Sequence, residues 1–387
     1  MKNILLVAAE NSAETYALQV VREFAADRGE FHFWGVGGER LQRAGVEIVV
    51  PNRSLSVVGI IEVAAHLLKI RRAMKLLFQQ ALQRRTAAAL LIDYPDFNLR
   101  LARRLHRAGI PVYYYISPTV WAWRYSRVEQ IRRWVTRLFI IFPFEKAIYQ
   151  KEKITFTYTG HPLLDAVRVN ESRQQFRRRM GVGADEVLLA LLPGSRESEV
   201  RSLLPEMLAA LRLLREEFKL KVFLQKAHDI ADSSLAAARS DEQIRLLDQD
   251  QGFNLLNAAD VVISTCGTSN LEAALLGVPF VAIYRVNRLT YLLGKRFLKI
   301  PLYSIVNILA GKRVVAELIQ KDCRAPLIAL EMRKILVDSA WRGNMTAAFA
   351  AIRESLRQQQ KPAMIIQQQI SADLADKESG TPRPRLS

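Results

Sequence analysis

The sequence predicts an α/β chain built as two doubly wound parallel sheets. Short apolar runs of strand length alternate with longer stretches of helical spacing, and that alternation stops near Gly160-His161-Pro162 and then begins again. The 387 residues are half hydrophobic, too many for one ordinary domain and enough to fill two cores. Strands separated by helices form a parallel sheet covered on both faces, so each strand reads as a continuous apolar run rather than an alternating one.

In the first half the strand-like runs are 4–9, 31–36, 88–92, 112–116 and 138–142, with helical spacing at 14–27 and 98–108. In the second half, run 187–192 leads through the turn Pro193-Gly194-Ser195-Arg196 into a helix at 203–218; runs 221–225, 261–264 and 280–284 follow. These give two Rossmann-like domains, 1–165 and 166–344, facing across a cleft, followed by a helix at 345–360. Residues 361–387, with Gln367-Gln368-Gln369 and Thr-Pro-Arg-Pro-Arg at 381–385, read as a disordered tail.

No run of 18 apolar residues free of charge exists, and the apolar run at 4–9 is too short for a signal peptide. Cys266 and Cys323 have no metal-ligand spacing and suit a reducing compartment, so the expected location is the cytoplasm. The net charge of +18 is concentrated: residues 69–137 hold fifteen Lys or Arg against Asp93, Asp96 and Glu129. Such a block seeks a polyanion, either nucleic acid or an anionic membrane. No recognised nucleic-acid module accompanies it, so no nucleic-acid partner is expected. The segment from Ile60 to Phe78 carries apolar residues at Ile60, Val63, Ala64, Leu67, Met74 and Leu77, with Lys69, Arg72 and Lys75 on other faces. That pattern fits a helix lying at a membrane interface, or one packed on the sheet by its apolar stripe.

Ligands on doubly wound sheets bind outside the carboxyl ends of the strands, and candidate residues cluster there. In the second domain Gly194, Ser195 and Arg196 follow one strand, and Gly267, Thr268, Ser269 and Glu272 follow another. Glycine admits close backbone approach, a helix start offers free N–H groups to a diphosphate, Arg196 forks onto phosphate, and Glu272 can accept from ribose hydroxyls. In the first domain Asp93, Asp96 and Asn98 follow the run 88–92. Asp93, nearest the buried strand, suits a general base, because burial raises a carboxylate's pKa. Asp96 suits a helix cap. Glu10 and Ser12 follow the first strand, and Trp121 and Arg124 sit in a loop that reads equally as sugar platform or packing.

In order along the chain these segments resemble the lipid-A-disaccharide synthase family, inverting glycosyltransferases of GT-B fold. The resemblance rests on Ile92-Asp93-Tyr94-Pro95-Asp96-Phe97-Asn98, Ser117-Pro118-Thr119-Val120-Trp121-Ala122-Trp123-Arg124, Pro143-Phe144-Glu145-Lys146, Gly160-His161-Pro162, Leu192-Pro193-Gly194-Ser195-Arg196, Gly267-Thr268 with Leu271-Glu272, and Asn307. It implies transfer of 2,3-diacylglucosamine from its UDP derivative to 2,3-diacylglucosamine 1-phosphate, giving a β-1,6-linked disaccharide. It further implies Asp93 as base, Arg196, Glu272 and Asn307 at the UDP, and no metal or cofactor. With acylated substrates, the basic helix becomes a contact for the cytoplasmic face of the inner membrane; a homodimer is the default oligomer. Where the family has Gly-Glu-x-Ser-Gly-Asp after its first strand, this chain has Ala9-Glu10-Asn11-Ser12-Ala13-Glu14, which points to an altered acceptor fit.

Overall fold

The computed structural model describes residues 1–25, 29–55, 63–122, 124–228, 230–286 and 302–378. It divides into two units, Met1–Ala166 with Leu356–Ser387, and Val167–Ser355.

The first unit is a seven-stranded parallel sheet in the order β3-β2-β1-β4-β5-β6-β7. Its strands are β1 Lys2–Ala8, β2 Phe31–Gly37, β3 Glu47–Pro51, β4 Ala88–Ile92, β5 Val112–Tyr115, β6 Arg137–Ile140 and β7 Phe156–Tyr158. Alternate residues of one strand feed two cores. Leu5 and Val7 pack with Met74, Leu77, Phe97, Leu101 and Leu105 on one face. Ile4, Leu6 and Ala8 pack with Tyr16, Val20, Val21 and Phe24 on the other. Both faces are therefore covered by helices, as the unbroken apolar runs require.

The second unit repeats the logic with six parallel strands in the order β10-β9-β8-β11-β12-β13. They are β8 Val187–Leu192, β9 Leu220–Lys226, β10 Ile244–Asp248, β11 Val261–Thr265, β12 Phe280–Tyr284 and β13 Glu317–Ile319. In each sheet the order reverses at one point, between β1 and β4 and between β8 and β11, and the crevice there is where such sheets take ligands.

The chain's end differs from the sequence reading. Residues expected as a tail form the helix Pro362–Glu378. Its Ala363, Ile366, Ile370 and Leu374 are buried in the core beside the helix Asn11–Phe24. Asp373 accepts from Tyr113 Oη (3.1 Å) and pairs with Arg137 (3.3 Å), so this helix belongs to the first unit. Hydrophobic burial at helical spacing outweighs the polar Gln run. Residues 379–387 lie outside the described set. The preceding helix is Ser339–Ser355, inside the second unit rather than a separate element.

The basic helix is Val63–Gln83. Met74 and Leu77, read as part of an interfacial stripe, are instead buried against the sheet. Its exposed face carries Leu68, Lys69, Arg71, Arg72, Lys75 and Leu76. Ile60 and the side chains of 63–67 lie outside the described residues. No described helix is long and apolar enough to cross a membrane.

Candidate active site

In the first unit Glu10 follows β1 and Asp93 follows β4, and these strands are neighbours with Ala8 opposite Ile92. The two carboxylates thus meet at the reversal point. Burial, reinforced by the Glu10 charge, pushes the Asp93 carboxyl up to about 6. Asp93 and Tyr94 both take left-handed backbone conformations (φ 51° and 46°), rare for residues with side chains and costly enough to need support. The support is visible. Asn98 Nδ2 donates to the carbonyls of Ile92 (3.1 Å) and Asp93 (2.7 Å), Tyr114 Oη donates to that of Asp93 (2.6 Å), and Tyr94 Oη donates to that of Leu55 (2.8 Å). Asn98 is fully buried. Read from sequence as a cleft residue, it instead holds the turn that presents Asp93.

Asp96 is exposed and accepts from Arg124 (2.9 Å) and Arg127 (2.8 Å). Arg127, which the sequence reading missed, is buried, and its charge partly offsets the upward push on Asp93. Only its position three residues beyond the Ser117–Arg124 stretch could have flagged it. Trp121 packs edge-on against Phe144 (5.2 Å), which stacks on Phe142 (5.5 Å). Its indole nitrogen is buried, so this ring serves packing rather than an open platform. Trp123 lies outside the described residues. Glu145 turns back to accept from the backbone N–H groups of Ile141 (3.2 Å) and Phe142 (3.0 Å). His161 is buried and packs on Phe142; its Nδ1 accepts from Leu163 N–H (3.1 Å), and burial lowers its pKa to about 3, keeping it neutral.

Ser12 sits half-buried in the first turn of Asn11–Phe24. Neither Ala9 nor Ala13 has a positive φ, and both are buried, so alanine fits these positions without backbone strain. Glu14 is buried and accepts from Gly38 N–H (3.1 Å) and Leu41 N–H (3.2 Å), tying the loop after β2 to the first helix.

In the second unit the loops after β8 and β11 differ. Gly194 has φ 121°, and a Cβ there would lie 2.4 Å from Glu199 Oε2. That carboxylate accepts from the N–H groups of Ser195 (3.2 Å) and Arg196 (3.4 Å). An internal anion therefore occupies the donors a phosphate would use, and the exposed Arg196 side chain itself pairs with that carboxylate (3.4 Å). Glu199, also missed from sequence, sits at the third position of the helix Glu197–Arg215, as in a capping box. The helix Thr268–Leu275 has no side-chain cap at Gly267, so no side chain there accepts from the N–H groups of its first turn, of which Asn270 N–H bonds to Gly267 O (3.2 Å). Ser269 spends its hydroxyl inward, on Ser264 Oγ (2.8 Å) and the Thr265 carbonyl (3.3 Å). Thr268 is exposed, and the half-buried Glu272 is pushed up to about 7 by burial.

Asn307, expected to contact UDP, spends its amide within the chain. It is fully buried. Its Oδ1 accepts from Val314 and Val315 N–H (2.7 and 2.9 Å), and its Nδ2 donates to Val315 O (3.0 Å) and Glu317 (2.9 Å). Those bonds consume the amide and shape the segment around it. Asp248-Gln249-Asp250 closes β10, where Asp250 pairs with His228 (3.4 Å). Among the described residues no three His, Cys, Asp or Glu side chains come together as a metal site.

A family model described as lipid-A-disaccharide synthetase matches residues 4–370. The lipid-A-disaccharide synthase of Geobacter sulfurreducens is 39% identical over 355 residues, spanning 91% of this chain and 92% of the relative. That of Myxococcus xanthus is likewise 39% identical over 355 residues, spanning 91% and 93%. Among solved structures, the UDP-GlcNAc 2-epimerase from Neisseria meningitidis bound to UDP-GlcNAc aligns with TM-score 0.67 at 10% identity, covering 96% of this chain and all of its own. MurG from Acinetobacter baumannii aligns with TM-score 0.56 at 15% identity, covering 97% and 100%. At these identities the structural likeness speaks for the fold alone.

Proposed function

The chain belongs to the lipid-A-disaccharide synthetase family, and from that membership we propose that it transfers 2,3-diacylglucosamine from its UDP derivative to 2,3-diacylglucosamine 1-phosphate. The observation that supports this reading most is Asp93, a carboxylate with pKa about 6 on a braced, left-handed turn at the reversal point of its sheet. A base near neutrality is mostly ionised at pH 7 yet still binds a proton well. Asp93 takes the proton of the acceptor's 6-hydroxyl as that oxygen attacks the anomeric carbon. The bond from that carbon to the UDP oxygen breaks on the opposite side, giving the β-1,6 linkage by inversion.

UDP leaves with growing negative charge on its diphosphate. The uncapped start of Thr268–Leu275 and the Arg196 guanidinium are assigned to that charge. Glu272 is assigned to the ribose hydroxyls. Glu10, beside Asp93, helps hold the base's pKa up, and Arg127 tethers Asp96 and restrains that rise. The alanines at 9 and 13 are buried without backbone strain and imply no loss of activity.

Both substrates carry acyl chains, so we assign the exposed face of Val63–Gln83, with Leu68, Lys69, Arg72, Lys75 and Leu76, to the cytoplasmic surface of the inner membrane. Each surface cation adds about 1 kcal/mol of attraction to anionic lipid. Changing Lys69, Arg72 and Lys75 to Glu is expected to move the protein from vesicles into solution; an unchanged bound fraction would count against the assignment.

The function itself is tested by incubating purified protein with both diacyl substrates in detergent and chelator, alongside Asp93→Asn. Disaccharide from the wild type alone supports the reading. A new sugar formed from UDP-N-acetylglucosamine without acceptor would replace it with an epimerase.

A further inference from the structure

Among the helices Val63–Gln83, Pro95–Arg107 and Arg127–Trp134, the first unit has a cavity of about 490 Å³ lined by Arg71, Arg100, Arg103, Arg104, Arg107 and Trp134, among others. Four of these arginines lie on the helix Pro95–Arg107 at spacings of three and four, which puts them on one face. The opposite face sends Phe97, Leu101 and Leu105 into the core. The helices Val63–Gln83 and Arg127–Trp134 pack on either side and bring Arg71 and Trp134.

Like charges three and four residues apart destabilise a helix. Elsewhere this chain relieves them: on the next helix Arg132 and Arg133 both pair with Glu129. Among the described residues no carboxylate forms an ion pair with any of the five cavity arginines. Arg103 lies over the Trp134 ring, 5.6 Å from its centre. Stacking engages the guanidinium face and leaves its N–H edges for an acceptor. Arginine forks match phosphate oxygens in pairs.

The cavity is separate from the Asp93 turn. That turn starts the helix, and at 1.5 Å per residue Arg103 lies about 12 Å and Arg107 about 18 Å along its axis. Leu68 and Leu76, 53% and 40% exposed, share the outer face of Val63–Gln83 with Arg71. A cationic cavity beside exposed leucines suits a phosphate that arrives attached to lipid.

We propose that this cavity binds the phosphate of an anionic phospholipid headgroup, one per chain. The lipid source of the phosphate rests on the membrane-facing reading of Val63–Gln83; the anion site does not. Two triple variants each remove three positive charges: Arg103→Gln with Arg104→Gln and Arg107→Gln inside the cavity, and Lys69→Gln with Arg72→Gln and Lys75→Gln outside it. Binding of the full-length protein is measured to phosphatidylcholine vesicles with and without phosphatidylglycerol. Tryptophan fluorescence is titrated with glycerol 1-phosphate and with inorganic phosphate, Trp134→Phe identifying the reporter.

The expected result is a saturable Trp134 response that the cavity triple loses and the outer triple keeps. With it comes a loss of phosphatidylglycerol-vesicle affinity at least tenfold greater for the cavity triple. Equal losses in the two triples, with no saturable response, overturn the site and leave only diffuse attraction. A saturable response lost in the cavity triple, with vesicle binding unchanged in both triples, overturns the lipid source. Far-ultraviolet circular dichroism and urea midpoints matching the wild type confirm that both triples are folded. Should the cavity triple fail to fold, Arg104→Gln alone is expected to weaken the fluorescence response severalfold, and an unaltered response overturns the site.

Discussion

Replacing Asp93 by Asn separates a catalytic carboxylate from a structural one, because the two roles predict opposite changes in stability. The Asp93 carboxyl is raised from 3.8 to about 6, chiefly by burial and then by the Glu10 charge. A folded-state value above the unfolded one means the fold prefers the protonated form. With respect to this group, stability is therefore greatest below about pH 4, falls as pH rises, and has lost its full amount above about pH 6. The displacement corresponds to at most about 3 kcal/mol, or about 2 kcal/mol after allowing for solvent screening of a half-buried side chain. Asparagine keeps the shape without the charge. In urea titrations at pH 4 to 8, Asp93→Asn is expected to gain stability progressively from about pH 4 and to hold a constant gain of about 2 kcal/mol above pH 6.5. The same variant is expected to lose nearly all transferase activity, while the wild-type kcat/KM falls as pH drops through about 6. A pH-independent loss of stability in Asp93→Asn would make Asp93 a structural partner rather than a charge held for chemistry.

The Glu272 carboxyl, pushed up to about 7 by burial, is a stronger acceptor for the ribose hydroxyls proposed for it when ionised. UDP affinity measured by calorimetry should therefore tighten as pH rises from 6 to 8, and Glu272→Gln should flatten the trend; a flat wild-type profile tells against the ribose assignment. Asn307→Ala strands buried N–H groups at 314 and 315 and is expected to cost about 3–5 kcal/mol in urea titration. Asn307→Asp keeps the oxygen that accepts from 314 and 315 but sets a second carboxylate against Glu317 and the Val315 carbonyl, so at neutral pH it should recover little of that loss; unfolding free energies unchanged by both substitutions would tell against the structural role. Gly160 has φ 76°, and a Cβ there would lie 2.8 Å from Leu356 O, so Gly160→Ala should cost roughly 2–4 kcal/mol by thermal or urea unfolding. Gly109→Ala, at φ 74° with nothing within 4 Å, should cost only about 1 kcal/mol; equal effects would show that the clash is not what matters.

The interior strands were legible because burial on both faces writes an unbroken apolar run, as in Ala88–Ile92. The edge strands were not. Glu47–Pro51, Phe156–Tyr158, Ile244–Asp248 and Glu317–Ile319 are short and partly exposed, so solvent breaks the pattern. The helix Pro362–Glu378 was hidden by Gln367-Gln368-Gln369, which fills the gap between Ile366 and Ile370 in its buried stripe. At the candidate site, the strand ends read from the sequence put Glu10 and Asp93 after neighbouring strands, as the sheet has them. Direction did not follow from position. Asn98, Ser269 and Asn307 sit where ligand contacts belong, yet each turns inward to satisfy backbone groups that burial has cut off from water. Arg127 and Glu199 act through contacts that only the packed helices create.

The return of Pro362–Glu378 to the first unit also sets an order of manufacture. The second unit, Val167–Ser355, is one continuous stretch, whereas the first needs residues from both ends of the chain. During synthesis the β1–β7 sheet emerges first but waits for its last flank until the whole second unit has been made. At 5–20 residues per second that delay is roughly 10–40 s. Throughout it, Tyr16, Val20 and Phe24 lack the covering of Ile366, Ile370 and Leu374. A nascent chain in that condition is a natural client for chaperones, and truncation before Pro362 would leave the first unit permanently unfinished.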